Sequence, residues 1–581
     1  MSLSIPARTL AGAGAAGPLL TASEGLSFWG GVDPETGNVI DRHHPLAGAC
    51  VTGRVLAIPS GRGSCTGSGV LMEMILAGRA PAAIVVCEAE EILTLGALVA
   101  ELVFDRSLAV VQIARDDFAR LAGFAQARIE DGRLIVTAAD GEDATDAPVA
   151  STAEPAAADG AEREVAAALR LSPLDRAFLD GRHGRAAQVA FEIIRRMAAI
   201  QGARELIDVT RVHVDGCIYT GRAGLRFAEL LVEWGARVRV PTTLNAISVD
   251  RRRWASQGVA PALGVPASAL ADAYVAMGAE PSFTCAPYLL DDAPVFGEQI
   301  GWAESNAVVY ANSVIGARTM KVPDYLDICI ALTGRAPAAG CHLDAGRRAT
   351  VALDVVRPEA ADDAFWPLAG YACGLVAGAD IPVIFGLEAA APTADDLKAF
   401  CAAFGTTSAA PMLHIAGVTP EAAGQDATRR IAVGVADLRR AWDELNGAAT
   451  DEIGLVSLGN PHFSLAECAA LAHAVAGRTR SPEVAVVVTC GRAVHDAATR
   501  AGHVAAAERF GVAFVTDTCW CMLGEPIVPP TARNLMTNSG KYAHYAPGLV
   551  ERGVRFGSLG ACIDAAVTGR ASARHPAWLA P

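Results

Sequence analysis

Val484-Ala485-Val486-Val487-Val488-Thr489-Cys490-Gly491-Arg492 decides how the larger part of this chain folds. Its core is a run of β-branched and small apolar residues without polar alternation, which reads as a strand buried on both faces. Matching runs stand on either side, at Ile453–Leu458 and Val512–Thr516. Between them, Ala466–Val475 and Val494–Phe510 carry helical spacing. Strand–helix–strand order implies parallel pairing with right-handed crossovers. Ligands of an open parallel sheet gather beyond the carboxyl ends of its strands. Three segments leave those ends: Gly459-Asn460-Pro461-His462, Cys490-Gly491-Arg492 and Asp517-Thr518-Cys519-Trp520-Cys521. Polar or sulfur-bearing residues at three neighbouring strand ends are together a candidate site.

Working toward the N-terminus, Ile381–Phe385 reads as another buried strand and Tyr371–Ala379 as a helix. Ala307–Leu326 is helical in part, and Arg237–Pro241 is a short strand leading to Thr242-Thr243-Leu244-Asn245. The first part of the chain is a separate mixed module. Ala82–Cys87 and Leu108–Ile113 are strands, 92–103 a helix, and 129–137 a strand or hairpin arm. Between module and main body lies a segment of Ala, Asp, Pro, Gly and Thr without period, which reads as a linker. A helix is expected from about Ala161 toward Leu171. The division is 1–150, 151–164 and 165–581, and the class is α/β.

The module carries Gly61-Arg62-Gly63-Ser64-Cys65-Thr66-Gly67-Ser68-Gly69, followed by a helix. Glycines allow close backbone approach, and a helix start favours negative charge. Arg62 adds a fork for a carboxylate or phosphate. The loop is therefore an anion-handling candidate or a Gly-rich turn; the mononucleotide and dinucleotide patterns do not fit it.

Composition narrows the classes. Of 581 residues, 52% are hydrophobic, but no apolar run approaches the roughly 18 residues of a membrane-spanning helix. The net charge of -15 and the absence of a basic stripe argue against nucleic acid. The expectation is a cytoplasmic protein that acts alone, without membrane or nucleic-acid partners. Fourteen scattered cysteines form no zinc framework, and Cys519-Trp520-Cys521 is the one close pair. Cys285, Cys490 and Cys519 are compatible with ligation of an iron–sulfur cluster or with burial as small hydrophobes. His462 suits proton donation, carboxylate binding or a structural role. Glu304 suits a helix start. Lys541, in Ser539-Gly540-Lys541-Tyr542-Ala543-His544-Tyr545, suits an anionic ligand or a surface loop.

Taken together, Gly61–Gly69, Thr284–Tyr288, Trp302–Asn312, Asp517–Cys519 and Met536–Tyr545 resemble the aconitase X family over nearly the whole chain. Leu26–Asp33 and Asp41–Leu46 resemble its fused bacterial branch. The resemblance implies a small swivelling β/α domain joined to a large multilobed aconitase-like α/β catalytic region. It implies dehydration, with an iron–sulfur cluster as Lewis acid. The fused branch implies a [2Fe-2S] cluster and cis-3-hydroxy-L-proline, converted to 1-pyrroline-2-carboxylate. The split archaeal branch implies mevalonate 5-phosphate instead. A non-catalytic anion-binding protein is the alternative outside the family's chemistry. The family's cluster cysteines match Cys285, Asn460 and Cys519, so Asn460 breaks the pattern. Cys490 is the replacement expected from its strand end, with Cys217, Cys521 and Cys562 as alternatives. Ser64 matches the family's catalytic serine. Arg62, Gly63, Cys65, Gly216, Cys217, Asn245, His462 and Lys541 make up the expected substrate-binding set.

Overall fold

The computed structural model describes residues 2–138 and 169–580. The expected linker at 151–164 lies outside the described residues, as does most of the helix expected from Ala161. The chain forms two compact units. The first comprises residues up to 209 together with 220–240 and 322–339; the second comprises 210–219, 241–321 and 340 onward. The first unit thus reaches beyond residue 150 and takes in the helices Arg185–Ile200, Arg222–Glu233 and Leu326–Thr333.

The first unit is built on an eight-stranded mixed sheet. Its middle is parallel: Ala15–Thr21, Val55–Ala57, Ala83–Val86 and Ala109–Gln112. These strands are short and apolar, and Val55, Ala57, Ala83, Val85 and Val111 pack into one core. The hairpin Gln126–Glu130/Arg133–Thr137 extends the sheet in antiparallel fashion. The helix Gly67–Leu76 starts within the Gly/Ser stretch, taking in its last three residues, and Ile92–Phe104 lies beside it. Module strands and helices thus occupy nearly the positions read from sequence.

The second unit contains three parallel sheets. Thr242–Leu244, Val212–Val214 and Gly301–Trp302 form one. His414–Ile415, Pro382–Phe385, Val351–Val355 and Arg430–Val433 form another. The third runs Val512–Val515, Ala485–Cys490, Leu455–Phe463, Asn534–Thr537 and Gly553–Phe556, all parallel. This is the sheet the valine run announces.

Two local departures have physical causes. The expected helix Val494–Phe510 is split into Arg492–Arg500 and His503–Phe510, because Gly502 adopts a left-handed φ of 80° between them. The strand from Leu455 also continues past Leu458 to Phe463, with an irregular register against Cys490. Gly459 permits that bend: its φ is 94°, and a Cβ there would lie 2.1 Å from the Thr489 carbonyl oxygen. No helix among the described residues is long and apolar enough to cross a membrane.

Candidate active site

In the second unit, residues leaving the carboxyl ends of two parallel sheets converge. From the three-stranded sheet, Leu244 leads to Asn245, and Trp302 leads to Ala303-Glu304. The Thr284 N–H donates to the Leu244 carbonyl at 3.2 Å, docking the Thr284-Cys285 turn on that sheet. From the five-stranded sheet come Asn460, His462 and the Asp517–Cys521 turn. The two sets are stitched by main chain: the Ile247 N–H donates to the Asp517 carbonyl at 2.7 Å. Asp517 itself has φ 70° and is fully buried, and both its carboxylate oxygens accept from Arg492. The Arg492 guanidinium lies 5.0 Å from the centre of the Phe283 ring, so one arginine braces both turns.

The product of this wiring is a group of three thiols. Cys519 interacts with Cys285 on one side and Cys521 on the other. All three are buried. The Asn460 Nδ2 donates to the Cys521 sulfur at 3.2 Å, and the His462 N–H donates to the Cys285 sulfur at 3.3 Å. Contact with Cys285 pushes the Cys519 thiol well above its ordinary range, and contact with Cys519, with burial behind it, does the same to Cys521. Thiols crowded in this way resist ionising together unless a cation joins them.

Lys541 stands beside them and partly opposes that rise. The helix Gly540–Leu549, capped by Ser539, carries Lys541 inward, where it is ion-paired with Glu304. Its charge is favoured by Glu304 against the penalty of burial, and its pKa lies above the usual lysine range. Glu304 caps the helix Ser305–Tyr310 as expected; its Oε2 accepts from the N–H groups of Asn306 at 2.7 Å and Ala307 at 3.2 Å. Its φ of 72° is strained for a glutamate. The ion pair with Lys541 adds what the sequence did not show.

His462 is held on every side. Its Nε2 donates to the Thr518 carbonyl at 2.8 Å, and its Nδ1 meets the Thr284 hydroxyl at 3.2 Å. Complete burial lowers its pKa to about 4. It is therefore a neutral ring that joins the two cysteine turns, and the expectation that it donates a proton or binds a carboxylate gives way to the structural reading. Asn245 donates to Asp215, and the Cys217 thiol faces the Val214 and Asn245 carbonyls at 3.5 Å. Both stand at the end of the three-stranded sheet, Cys217 with Gly216 on the turn after Val214 and Asn245 on the turn after Leu244.

Cys490 does not join the thiol group. Its backbone ends a strand as expected, but its sulfur faces Cys468, inside an apolar core with Phe463, Val488 and Ala498. The alternation of side chains along a strand decides which face a residue enters, and the approximate strand end did not fix that parity. Cys562 lies in the same core. The third sulfur is Cys521, whose signal in the sequence is its spacing from Cys519 in the one close cysteine pair.

In the first unit, the Gly/Ser loop follows the strand Val55–Ala57. Ser64 is 6% exposed. Its hydroxyl meets the Thr66 Oγ1 at 3.2 Å and accepts from the Thr66 N–H at 3.3 Å. Gly63 has φ 78°. Cys65 is buried; its carbonyl accepts from the Ser68 hydroxyl at 3.0 Å and the Asp324 N–H at 3.3 Å. Arg62 differs from the anion fork expected. Its guanidinium is paired with Asp41 at 3.2 Å and lies 3.9 Å from Glu24, so carboxylates of the protein itself already neutralise it.

Comparison with known proteins places the chain's domains in one family. Residues 4–138 match the aconitase X swivel domain, 168–345 the first domain, 349–443 the second and 453–568 the third. The chain is 58% identical to the cis-3-hydroxy-L-proline dehydratase of Pseudomonas aeruginosa, over 98% of each chain. It is 52% identical to the enzyme of the same name from Hypocrea jecorina, over 97% of this chain and 95% of that one. The crystal structure of Thermococcus kodakaraensis aconitase X (holo-form) matches with a TM-score of 0.62 and 31% identity, covering 68% of this chain and all of that one. With a swivel domain, three further domains in order and relatives matched end to end, the chain belongs to the aconitase X family.

Proposed function

We propose that this chain is a hydro-lyase that dehydrates cis-3-hydroxy-L-proline, giving 1-pyrroline-2-carboxylate. Two relatives, matched over 98% and 95% of their length, bear that name. The observation that carries the chemistry is the convergence of Cys285, Cys519 and Cys521 beside Lys541. Three soft sulfur donors fit an iron–sulfur cluster. The surroundings fit as well: Asn460 Oδ1, Ser305 Oγ, Thr518 Oγ1 and the Tyr542 hydroxyl are buried without hydrogen-bond partners in the structure. Cys285, Cys519 and Cys521 would hold the cluster, with Asn460 offering an oxygen donor where a fourth sulfur is lacking. We infer the [2Fe-2S] type. When bound, such a cluster supplies Lewis acidity to a leaving hydroxyl.

The chain's own residues supply the rest. Lys541 offsets the charge of the sulfur donors and is fixed by Glu304. Ser64 takes the proton from C2 of the substrate. In the cis isomer the hydroxyl and carboxylate share a ring face, so the C2 hydrogen lies opposite the hydroxyl and elimination is anti. A serine needs its alkoxide stabilised to act as a base, and the Thr66 N–H at 3.3 Å serves that purpose. Loss of the C2 proton and the C3 hydroxyl yields the enamine and water; the enamine tautomerises to the imine product. One polypeptide carries all these groups, and we infer that it acts as a monomer in the cytoplasm.

Purified protein should contain iron and acid-labile sulfide, and should turn over cis-3-hydroxy-L-proline but not the trans isomer or mevalonate 5-phosphate. Absence of iron, equal rates on both isomers, or turnover of the phosphorylated acid alone would overturn this reading.

A further inference from the structure

We propose that Lys398 and His462 form an internal brace that fixes the hydrogen bond to the Cys285 sulfur, and so act as positioning residues for the cluster. The inference rests on the cluster reading above and deepens it.

Lys398 lies on the helix Ala394–Thr407 and is 2% exposed. A buried ammonium demands partners for all three of its donors. It finds them in the Asp395 carboxylate at 3.1 Å, the Glu467 carboxylate, and the main-chain carbonyl of His462 at 3.2 Å. The carboxylates are themselves fixed. Glu467 closes a capping box with Ser464, and the Ser464 hydroxyl donates to Asp395 at 2.8 Å. The lysine thus grips the carbonyl of His462 from a rigid base.

On its other sides His462 reaches the cysteine turns. The ring spans Thr284 and Thr518, the residues just before Cys285 and Cys519. The N–H of the same residue donates to the Cys285 sulfur. Lys398 does not touch that sulfur; it acts through His462. Hydrogen bonds to cluster sulfurs stabilise the reduced, more negative state and raise the reduction potential. A merely structural lysine at this place would anchor the helix Leu465–Ala474 and nothing more.

The test uses the iron-loaded protein and two variants. Lys398→Met removes the grip; Lys398→Gln removes the charge but keeps a donor. The brace predicts that Lys398→Met melts cooperatively with most of its iron, while the electron paramagnetic resonance of the reduced cluster shifts and its midpoint potential moves negative. It also predicts about a tenfold fall in kcat, with KM nearly unchanged. Lys398→Gln should fall between wild type and Lys398→Met. Iron loss from a variant that still melts cooperatively also supports the brace. If the variants lose thermal stability but keep wild-type spectra and potential, the brace is overturned. Should Lys398→Met fail to fold, unchanged signals in Lys398→Gln overturn it equally. A wild-type protein without iron or sulfide overturns the cluster reading instead, so the two failures are distinguishable.

Discussion

The turn that carries Ser64 and the turn that carries Cys519 both follow a short buried strand of a parallel sheet segment, yet they are held by different means. Ser64 is surrounded by its own neighbours: Thr66 supplies both of its contacts, and the Gly67 N–H donates to its carbonyl at 3.3 Å. Cys519 is surrounded by distant parts of the chain: Cys285, and Lys541 paired with Glu304. The first arrangement is local geometry. The second is long-range packing that brings thiols and charges together. A local loop announces itself in sequence; a packed constellation announces only its members.

The largest effects should separate the two turns by what is lost. Cys519→Ala and Cys521→Ala should lose iron, and activity should drop at least about a hundredfold, since ligand loss exceeds the 10–100-fold seen for outer contacts. Ser64→Ala should keep its iron and lose about a hundred- to ten-thousandfold in kcat, the range of a positioned acid–base group. Cys490→Ala should keep both iron and activity, and lose about 1–2 kcal/mol of stability from the cavity beside Cys468. Iron analysis, steady-state kinetics and urea unfolding on the four variants decide the matter. Iron-free Cys490→Ala, or iron-replete Cys521→Ala, would erase the distinction between core and site cysteines.

That distinction also marks how far the sequence could be read. The valine run at 484–488, its flanking helices and the carboxyl-end rule gave the parallel sheet and the edge where Asn460, Cys490 and Cys519 begin. Side-chain parity at the strand end was not legible from an approximate strand end: Cys490 follows Val486 and Val488 onto the face that packs against Cys468. The neutrality of His462 was hidden for a similar reason. Its burial depends on Lys398, Thr284 and Thr518, each far from it in sequence. The loss of Arg62 as a free fork required knowing that Asp41 folds back beside it. By contrast, the Glu304 cap was legible, because a carboxylate just before a helical run needs no distant partner.

The pH response should also differ in sign between the buried histidines of the second unit and Glu91 of the first. In the second, burial lowers His213 to about 3 and both His342 and His462 to about 4. The unfolded chain takes up protons near pH 6.5 that these folded rings refuse. Their contribution is therefore complete above pH 6.5 and is lost on acidification, toward 4 for His342 and His462 at about 3 kcal/mol each and toward 3 for His213 at about 5 kcal/mol. In the first unit, burial raises Glu91 to about 7, against the opposing hydrogen bond from Gln201. Here the folded state holds a proton that the unfolded chain releases. The contribution is complete below about 4.5 and is lost as pH rises through 7. Hydrogen exchange, corrected for intrinsic rates, should show peptides from 453–521 gaining protection between pH 5 and 8. Peptides from 83–104 should gain less or lose some. Parallel gains in both regions would remove this difference.

The smallest expected effect probes shape in the first unit, where the loop's helix is fitted to its neighbours without charge. A Cβ at Gly69 would lie 2.9 Å from the Tyr325 hydroxyl and 3.2 Å from the Thr220 Oγ1. Tyr325 cannot swing away: it is buried, has φ 78°, and its ring meets Phe227 edge-on at 4.9 Å. Its hydroxyl also lies 3.1 Å from where a Cβ on Gly224 would stand, so two glycines make room for one phenol. Overpacking costs about 1–3 kcal/mol. Alanine returns at most about 1 kcal/mol of helix propensity, Gly69 being the third residue of its helix. Gly69→Ala should therefore destabilise by about 1 kcal/mol net. Tyr325→Phe removes the atom that clashes. Combining the two should be milder than their sum, because Gly69→Ala then gains its propensity without the clash. A double-mutant cycle by urea unfolding measures this coupling directly. Strict additivity would mean that the helix shifts to relieve the contact, and that Ser64 is held less rigidly by shape than Cys519 is by its thiol and charge partners.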